Sequence, residues 1–206
     1  MATVAGQSVK VGATLIKLPK FSAVITSHNY ENFVEQAIES VRAQTYTNFE
    51  CLIVDDQSTD NSVSTIKKKL ARMKDDRFRL VALEKNVGQL AAMKAAVSQL
   101  TGVFVGFLDA DDLWAPDFIR SRVMAHLGTG QANSFSCSDL GVISSDGRLL
   151  ASTWHQLAKP RGIRSDATQS SAVTPLNDIS ELVGASKGAS KGTPKGVSNG
   201  EILYAQ

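Results

Sequence analysis

From Phe21 onward the apolar residues alternate between two periods. Residues 21–26 (FSAVIT), 49–54 (FECLIV), 78–83 (FRLVAL) and 103–108 (VFVGFL) are short, nearly continuous apolar runs. Runs of that length predict strands buried on both faces. Between them apolar residues recur at helical spacing: Val34, Ala37, Ile38 and Val41; then Val63, Ile66, Leu70 and Met73; then Leu90, Met93, Val97 and Leu100. Each set predicts one buried face of a helix. Asp60 or Asn61 suits the second helix as N-cap, and Gly102 stops the third. Pro116 suits the first turn of a fourth helix carrying Ile119, Val123 and Leu127. The order βαβαβαβα predicts an α/β fold, a mostly parallel sheet flanked by helices.

The pattern weakens at both ends. Residues 1–20 carry Lys10, Lys17 and Lys20 without a continuous apolar block and read as a flexible leader. Residues 133–138 and 140–144 predict shorter strands. Ser145-Asp146-Gly147 signals a turn into a further strand over 149–153. Residues 184–199 read GASKGASKGTPKGVSN, with a glycine opening every unit of four. A helix does not tolerate glycine in each turn, so 156–206 read as a low-complexity basic tail, disordered by composition. The expected domains are the leader 1–20, a folded domain 21–155 and the tail.

Composition adds limits. With 206 residues, 43% hydrophobic and 20% charged, the chain fits one globular domain with a substantial core. A net charge of +2 implies no strong attraction to nucleic acid. Cys51 sits in an apolar run, and neither it nor Cys137 has metal-ligand spacing, which points to a reducing, cytoplasmic setting. No stretch has the length of a transmembrane helix; the basic ends leave peripheral membrane association open.

Polar clusters fall where each strand ends. TSHN (Thr26–Asn29) follows the first, DDQSTD (Asp55, Asp56 through Asp60) the second, EKNVGQ (with Asn86, Gly88 and Gln89) the third, and DADD (Asp109, Ala110, Asp111, Asp112) the fourth. Ligands of open parallel sheets bind beyond these carboxyl ends. Each cluster also has an ordinary use as turn or cap residues. Two acidic groups at adjacent strand ends go beyond that use. Carboxylates ~5 Å apart repel by roughly 3 kcal/mol at an effective dielectric of about 20. A hard divalent cation shared with phosphates relieves that repulsion.

The stretches FSAVITSHNYENFVEQAIESVRAQTYTNFECLIVDDQSTDNS, KNVGQ and TGVFVGFLDADDLWAPDFI resemble, in order and spacing, the nucleotide-sugar-binding domain of family 2 glycosyltransferases of the GT-A (Rossmann-like) fold. The resemblance covers residues 21–127 and extends more weakly to 153. It implies an inverting glycosyltransferase that uses a nucleoside-diphosphate sugar with Mg²⁺ or Mn²⁺. Thr26 and His28 match the residues touching the nucleobase, and Asp56 matches the acid that reads its edge. Asp109 matches the first aspartate of the Asp-x-Asp motif, near ribose and metal, and Asp111 matches the direct metal ligand. Asn29, Asp55, Asn86, Gly88, Gln89 and Ala110 complete the expected nucleotide-sugar site. The implied acceptor is a saccharide, lipid or protein.

Two positions depart from the family pattern. Met93-Lys94-Ala95-Ala96 stands where the family often has Arg-Asn-x-Gly. No residue matches the acceptor-activating base, for which Asp139 is the candidate, so the acceptor half reads as cut short. Two other functions remain open from the sequence. One is a non-catalytic nucleotide-binding domain. The other is a receiver-type phospho-acceptor domain, loosely echoed by Asp55, Asp56, Asp109 and Lys159-Pro160.

Overall fold

The computed structural model describes residues 4–5, 8–11, 14–129, 134–138, 140–144, 147–151, 174–175 and 202–205. The chain divides into two compact units, Met1–Val123 and Met124–Gln206.

The first unit opens with β1 (Val4–Ala5), β2 (Ser8–Val11) and β3 (Thr14–Lys17), a small antiparallel sheet in that order. These strands lie in the stretch read as a flexible leader; Gly6 and Gly12 separate them in sequence, where turns are easiest. Then follow β4 (Phe21–Ser27), α1 (Val34–Arg42), β5 (Phe49–Asp55), α2 (Ser62–Met73), β6 (Phe78–Ala82), α3 (Gln89–Val97), β7 (Phe104–Asp109), β8 (Leu113–Trp114) and α4 (Phe118–Thr129). The unit boundary falls within α4.

The central sheet has the order β6-β5-β4-β7 and is parallel throughout. Every residue of β4 and β5 is buried, as continuous apolar runs demand. Val24, Leu52 and Val54 form a cluster with Ala92 and Ala96 of α3. On the opposite face Ala23, Ile25, Cys51 and Ile53 are equally inaccessible. Helix α1 packs on β4 and α2. Its buried residues are the four the periodicity selects, Val34, Ala37, Ile38 and Val41.

Helix α3 turns a different face inward than its spacing predicts. Ala92 and Ala96 are buried, whereas Leu90 and Val97 are 47% and 48% exposed. The helix is apolar nearly all round, so periodicity does not select a face, and the two small residues let it lie close to the sheet. Leu127 of α4 is likewise exposed, while Ile119 and Val123 are buried. The helix starts at Phe118, two residues beyond Pro116. At the start of α2, Asp60 rather than Asn61 supplies the cap, its Oδ1 accepting from Ser62 N–H at 2.9 Å.

In the second unit β9 (Ser134–Phe135) pairs with β12 (Thr174–Pro175), and β10 (Leu140–Ile143) pairs with both β11 (Leu149–Ala151) and β13 (Ile202–Ala205), all antiparallel. Strands β12 and β13 belong to the stretch read as a disordered tail. Ile202, Leu203 and Tyr204 are a compact apolar run beyond the glycine repeats, the composition an added strand needs. The glycine-rich residues 184–199 lie outside the described residues.

Candidate functional site

Register brings the strand ends together. Thr26 of β4 pairs with Asp109 of β7, Ser27 with Asp55 of β5, and Asp55 with Ala82 of β6. The chain runs outward from β4 through β5 to β6, then returns to the other side of β4 as β7. A crevice opens at such a reversal. A cavity of about 310 Å³ lies there, lined by Thr26, Ser27, His28, Tyr30, Asp56, Asn86, Gly88, Gln89, Ala92 and Asp109. Its volume is at the lower end of small-molecule pockets.

The expected site residues divide into lining and supporting groups. Asp56 is 4% exposed. Its Oδ1 accepts from Val87 N–H and its Oδ2 from Gly88 N–H, both at 2.8 Å. Each oxygen keeps a second lone pair for a ligand. Asp55 is fully buried and absent from the lining; its two carboxylate oxygens accept from Ser58 N–H at 2.9 Å and Ser58 O–H at 2.6 Å. Buried beneath the rim, Asp55 closes the turn after β5 rather than facing the cavity. Asn29 lies beside the cavity with a left-handed φ of 62°. Its Oδ1 accepts from Thr59 N–H at 2.8 Å, bonding the loop after β4 to the loop after β5. Ala110 is fully buried and gives its N–H to the Thr26 carbonyl at 3.0 Å.

This network fixes the His28 tautomer. Nδ1 lies 2.8 Å from the Asp56 carbonyl, which only accepts, so Nδ1 carries the hydrogen. The Asn29 oxygen is taken up by residues 59 and 60, so its NH₂ donates to His28 Nε2 at 3.2 Å. The imidazole is thereby held at the cavity wall, and Asn86 Nδ2 lies 3.3 Å from its ring nitrogens.

Asp109 Oδ1 accepts from Thr26 Oγ1 at 3.3 Å and from Gln89 Nε2. Burial and the neighbouring Asp111 charge raise its pKa, against the pull of those two donors. Burial, then the charge and hydrogen bond of Asp111, push the Tyr30 hydroxyl up to about 12. Tyr30 therefore stays protonated and donates to Asp111. Among the described residues no lysine or arginine lines the cavity, and Lys94 is exposed. Among the described residues no group of three or more His, Cys, Asp or Glu side chains is placed to hold a metal ion by itself.

The donor set suits a hard cation that takes one or two carboxylates and fills its other positions with water and phosphate. Asp109 lines the cavity, and Asp111 lies close beside it and Tyr30, outside the lining. Ser27, 2% exposed and in the lining, has an Oγ with no partner among the described residues. Tyr30 lines the cavity without being singled out by the sequence, and Ser27 figures there only as part of the TSHN cluster. Their signal is only proximity to His28. Asp139 lies outside the described residues.

The family model described as "Glycosyl transferase family 2" matches residues 22–174. The chain is 42% identical over 104 residues to an uncharacterized glycosyltransferase of Nostoc, covering 50% of this chain and 32% of that one. It is 30% identical over 148 residues to the UDP-Glc:alpha-D-GlcNAc-diphosphoundecaprenol beta-1,3-glucosyltransferase WfgD of Escherichia coli, covering 69% of this chain and 56% of that one. Among solved structures it is similar to the mannosyltransferase PcManGT of Pyrobaculum calidifontis in complex with GDP-Man and Mn²⁺. That match has a TM-score of 0.54 at 24% identity and covers 59% of this chain and 35% of the other. The aligned part thus spans a third to just over half of these proteins. The family match displaces the receiver-type reading.

Proposed function

Since the chain belongs to glycosyl transferase family 2, we propose that its first unit binds a nucleoside-diphosphate sugar at the rim of the central sheet and serves transfer of the sugar to an acceptor hydroxyl with inversion. The observation that carries this reading is the cavity at the β4–β7 crevice, lined by the carboxylates Asp56 and Asp109 with Asp111 close beside Asp109 and Tyr30, and with no lysine or arginine among the described lining residues. The WfgD relative, whose name states a UDP-Glc donor, supports the substrate class.

His28 lies against the nucleobase, and Asp56 accepts from the base edge through the lone pairs its amide bonds leave. Thr26 and Gln89 orient Asp109 toward ribose and metal. Asp109 and Asp111 hold a divalent cation, Mg²⁺ or Mn²⁺. When bound, such a cation supplies Lewis-acid stabilisation of the negative charge that grows on the departing diphosphate. Tyr30 donates to Asp111 and fixes its orientation. Inversion needs no covalent nucleophile from the protein, only a carboxylate that takes the acceptor's proton.

Calorimetry with UDP and GDP, with and without Mn²⁺, tests the reading. Micromolar binding that requires the ion and is lost in Asp111→Asn is expected. Metal-independent binding, or an unaltered Asp111→Asn variant, would refute it. Transfer is tested separately by release of nucleotide from a labelled donor.

A further inference from the structure

Gln57, in the loop after β5, has a backbone φ of 57°, the left-handed region that non-glycine residues seldom adopt. Such outliers persist where the surroundings over-determine them, and they cluster at functional sites. The surroundings here are specific. The exposed Gln57 side chain crosses to the loop between β6 and α3 and uses both ends of its carboxamide. Its Nε2 donates to the Glu84 carbonyl at 3.0 Å, and its Oε1 accepts from Asn86 N–H at 2.9 Å.

Residues 84–90 are all exposed, so apolar packing does little to order this loop. Its order comes from polar anchors on three consecutive residues. Asp55 accepts Leu83 N–H at its carbonyl, Asp56 holds Val87 and Gly88, and Gln57 holds Glu84 and Asn86. The Asn86 side chain in turn reaches the His28 ring and lines the cavity.

We propose that Gln57 is a positioning residue for the nucleotide: its strained backbone aims a two-ended carboxamide that presets the Asn86 wall beside His28, so that binding does not have to order the loop. The proposal rests on the nucleotide-binding reading of the cavity. Preorganisation of this kind appears in affinity more than in fold stability.

Gln57→Asn separates reach from conformation. Asparagine tolerates left-handed φ, but its side chain is one carbon shorter and cannot span to Glu84 and Asn86. Gln57→Gly removes the side chain and relieves the backbone. The intact chain and both variants are titrated with UDP and with GDP in the presence of Mn²⁺, alongside melting curves and amide hydrogen exchange. Both variants are expected to bind about tenfold more weakly, for loss of one to two exposed hydrogen bonds' worth of preorganisation. Faster exchange is expected at Asn86 N–H, with Tm within about 2 °C of the parent. Parental affinity in Gln57→Asn overturns the proposal while leaving the nucleotide site intact. A large fall in Tm in both variants also overturns it, since the role is then structural. Absence of UDP and GDP binding to the parent chain refutes the site itself, and the Gln57 role with it.

Discussion

Glu50 offers a quantitative test of how the sheet beneath the site is held. It lies on β5 at the end opposite the cavity, with its side chain 9% exposed. Oε1 accepts from Ser22 Oγ at 2.7 Å, Thr101 N–H at 2.6 Å and Thr101 Oγ1 at 3.0 Å; Oε2 faces Lys20 Nζ at 3.1 Å. The carboxylate thus ties β4, β5 and the approach to β7. Burial alone would raise its pKa. The donors from Thr101, Ser22 and Lys20 outweigh burial and bring it from 4.5 to about 2. A shift of that size corresponds to about 3 kcal/mol favouring the charged form in the fold. Because the folded pKa is depressed, this stability is full above the unfolded pKa and is lost as pH falls from about 4.5 toward 2. Glu50→Gln cannot titrate there and presents an NH₂ group among donors. Urea unfolding followed by tryptophan fluorescence should show Glu50→Gln destabilised by about 2–3 kcal/mol at pH 7. The gap should narrow by up to about 1.4 kcal/mol per pH unit below the unfolded pKa. A gap constant from pH 7 to 3.5, or no gap at pH 7, would refute this account.

Other substitutions probe the site and its frame. Asp109→Asn removes a carboxylate whose pKa is raised by burial and Asp111. Charging a group with a raised folded pKa costs stability above that pKa, so the variant should melt higher at neutral pH yet lose Mn²⁺-dependent nucleotide binding. Both are read by thermal melts with and without UDP and Mn²⁺. Gly102→Ala should destabilise by about 1–3 kcal/mol in urea unfolding. An added Cβ would sit 2.5 Å from Ser22 Oγ and 2.7 Å from Ser22 N, the second a backbone atom that cannot rotate aside. His28→Ala should weaken UDP by about tenfold, as loss of a stacking surface predicts, with little change in unfolding free energy.

Strong periodic signals were legible from residue order alone. The runs of β4 and β5 and the α1 face carry a clear pattern because most buried positions there are apolar, with Ser22, Thr26, Ser27, Glu50 and Asp55 as the buried polar exceptions. Helix α3 lies where the spacing of Leu90, Met93 and Val97 puts it, but QLAAMKAAV lacks polar contrast to select a face, and alanines rather than leucine and valine meet the sheet. The carboxylate pair after β5 shows a second limit. Sequence identifies Asp55 and Asp56 as a cluster, but only the turn geometry shows that Asp55 is buried against Ser58 while Asp56 reaches the cavity. Tyr30 and Gln57 are ordinary loop residues in the sequence. Their roles come from the contacts of Tyr30 with Asp111 and of Gln57 with Glu84 and Asn86, which no spacing rule encodes.

Crystals of the intact chain grown with UDP and Mn²⁺, measured at the manganese absorption edge, test the central claim most directly. The account predicts an anomalous peak bonded to Asp111 and the diphosphate, with the base between His28 and Asp56. Nucleotide bound elsewhere, or bound in this cavity with no peak beside Asp109 and Asp111, would contradict it.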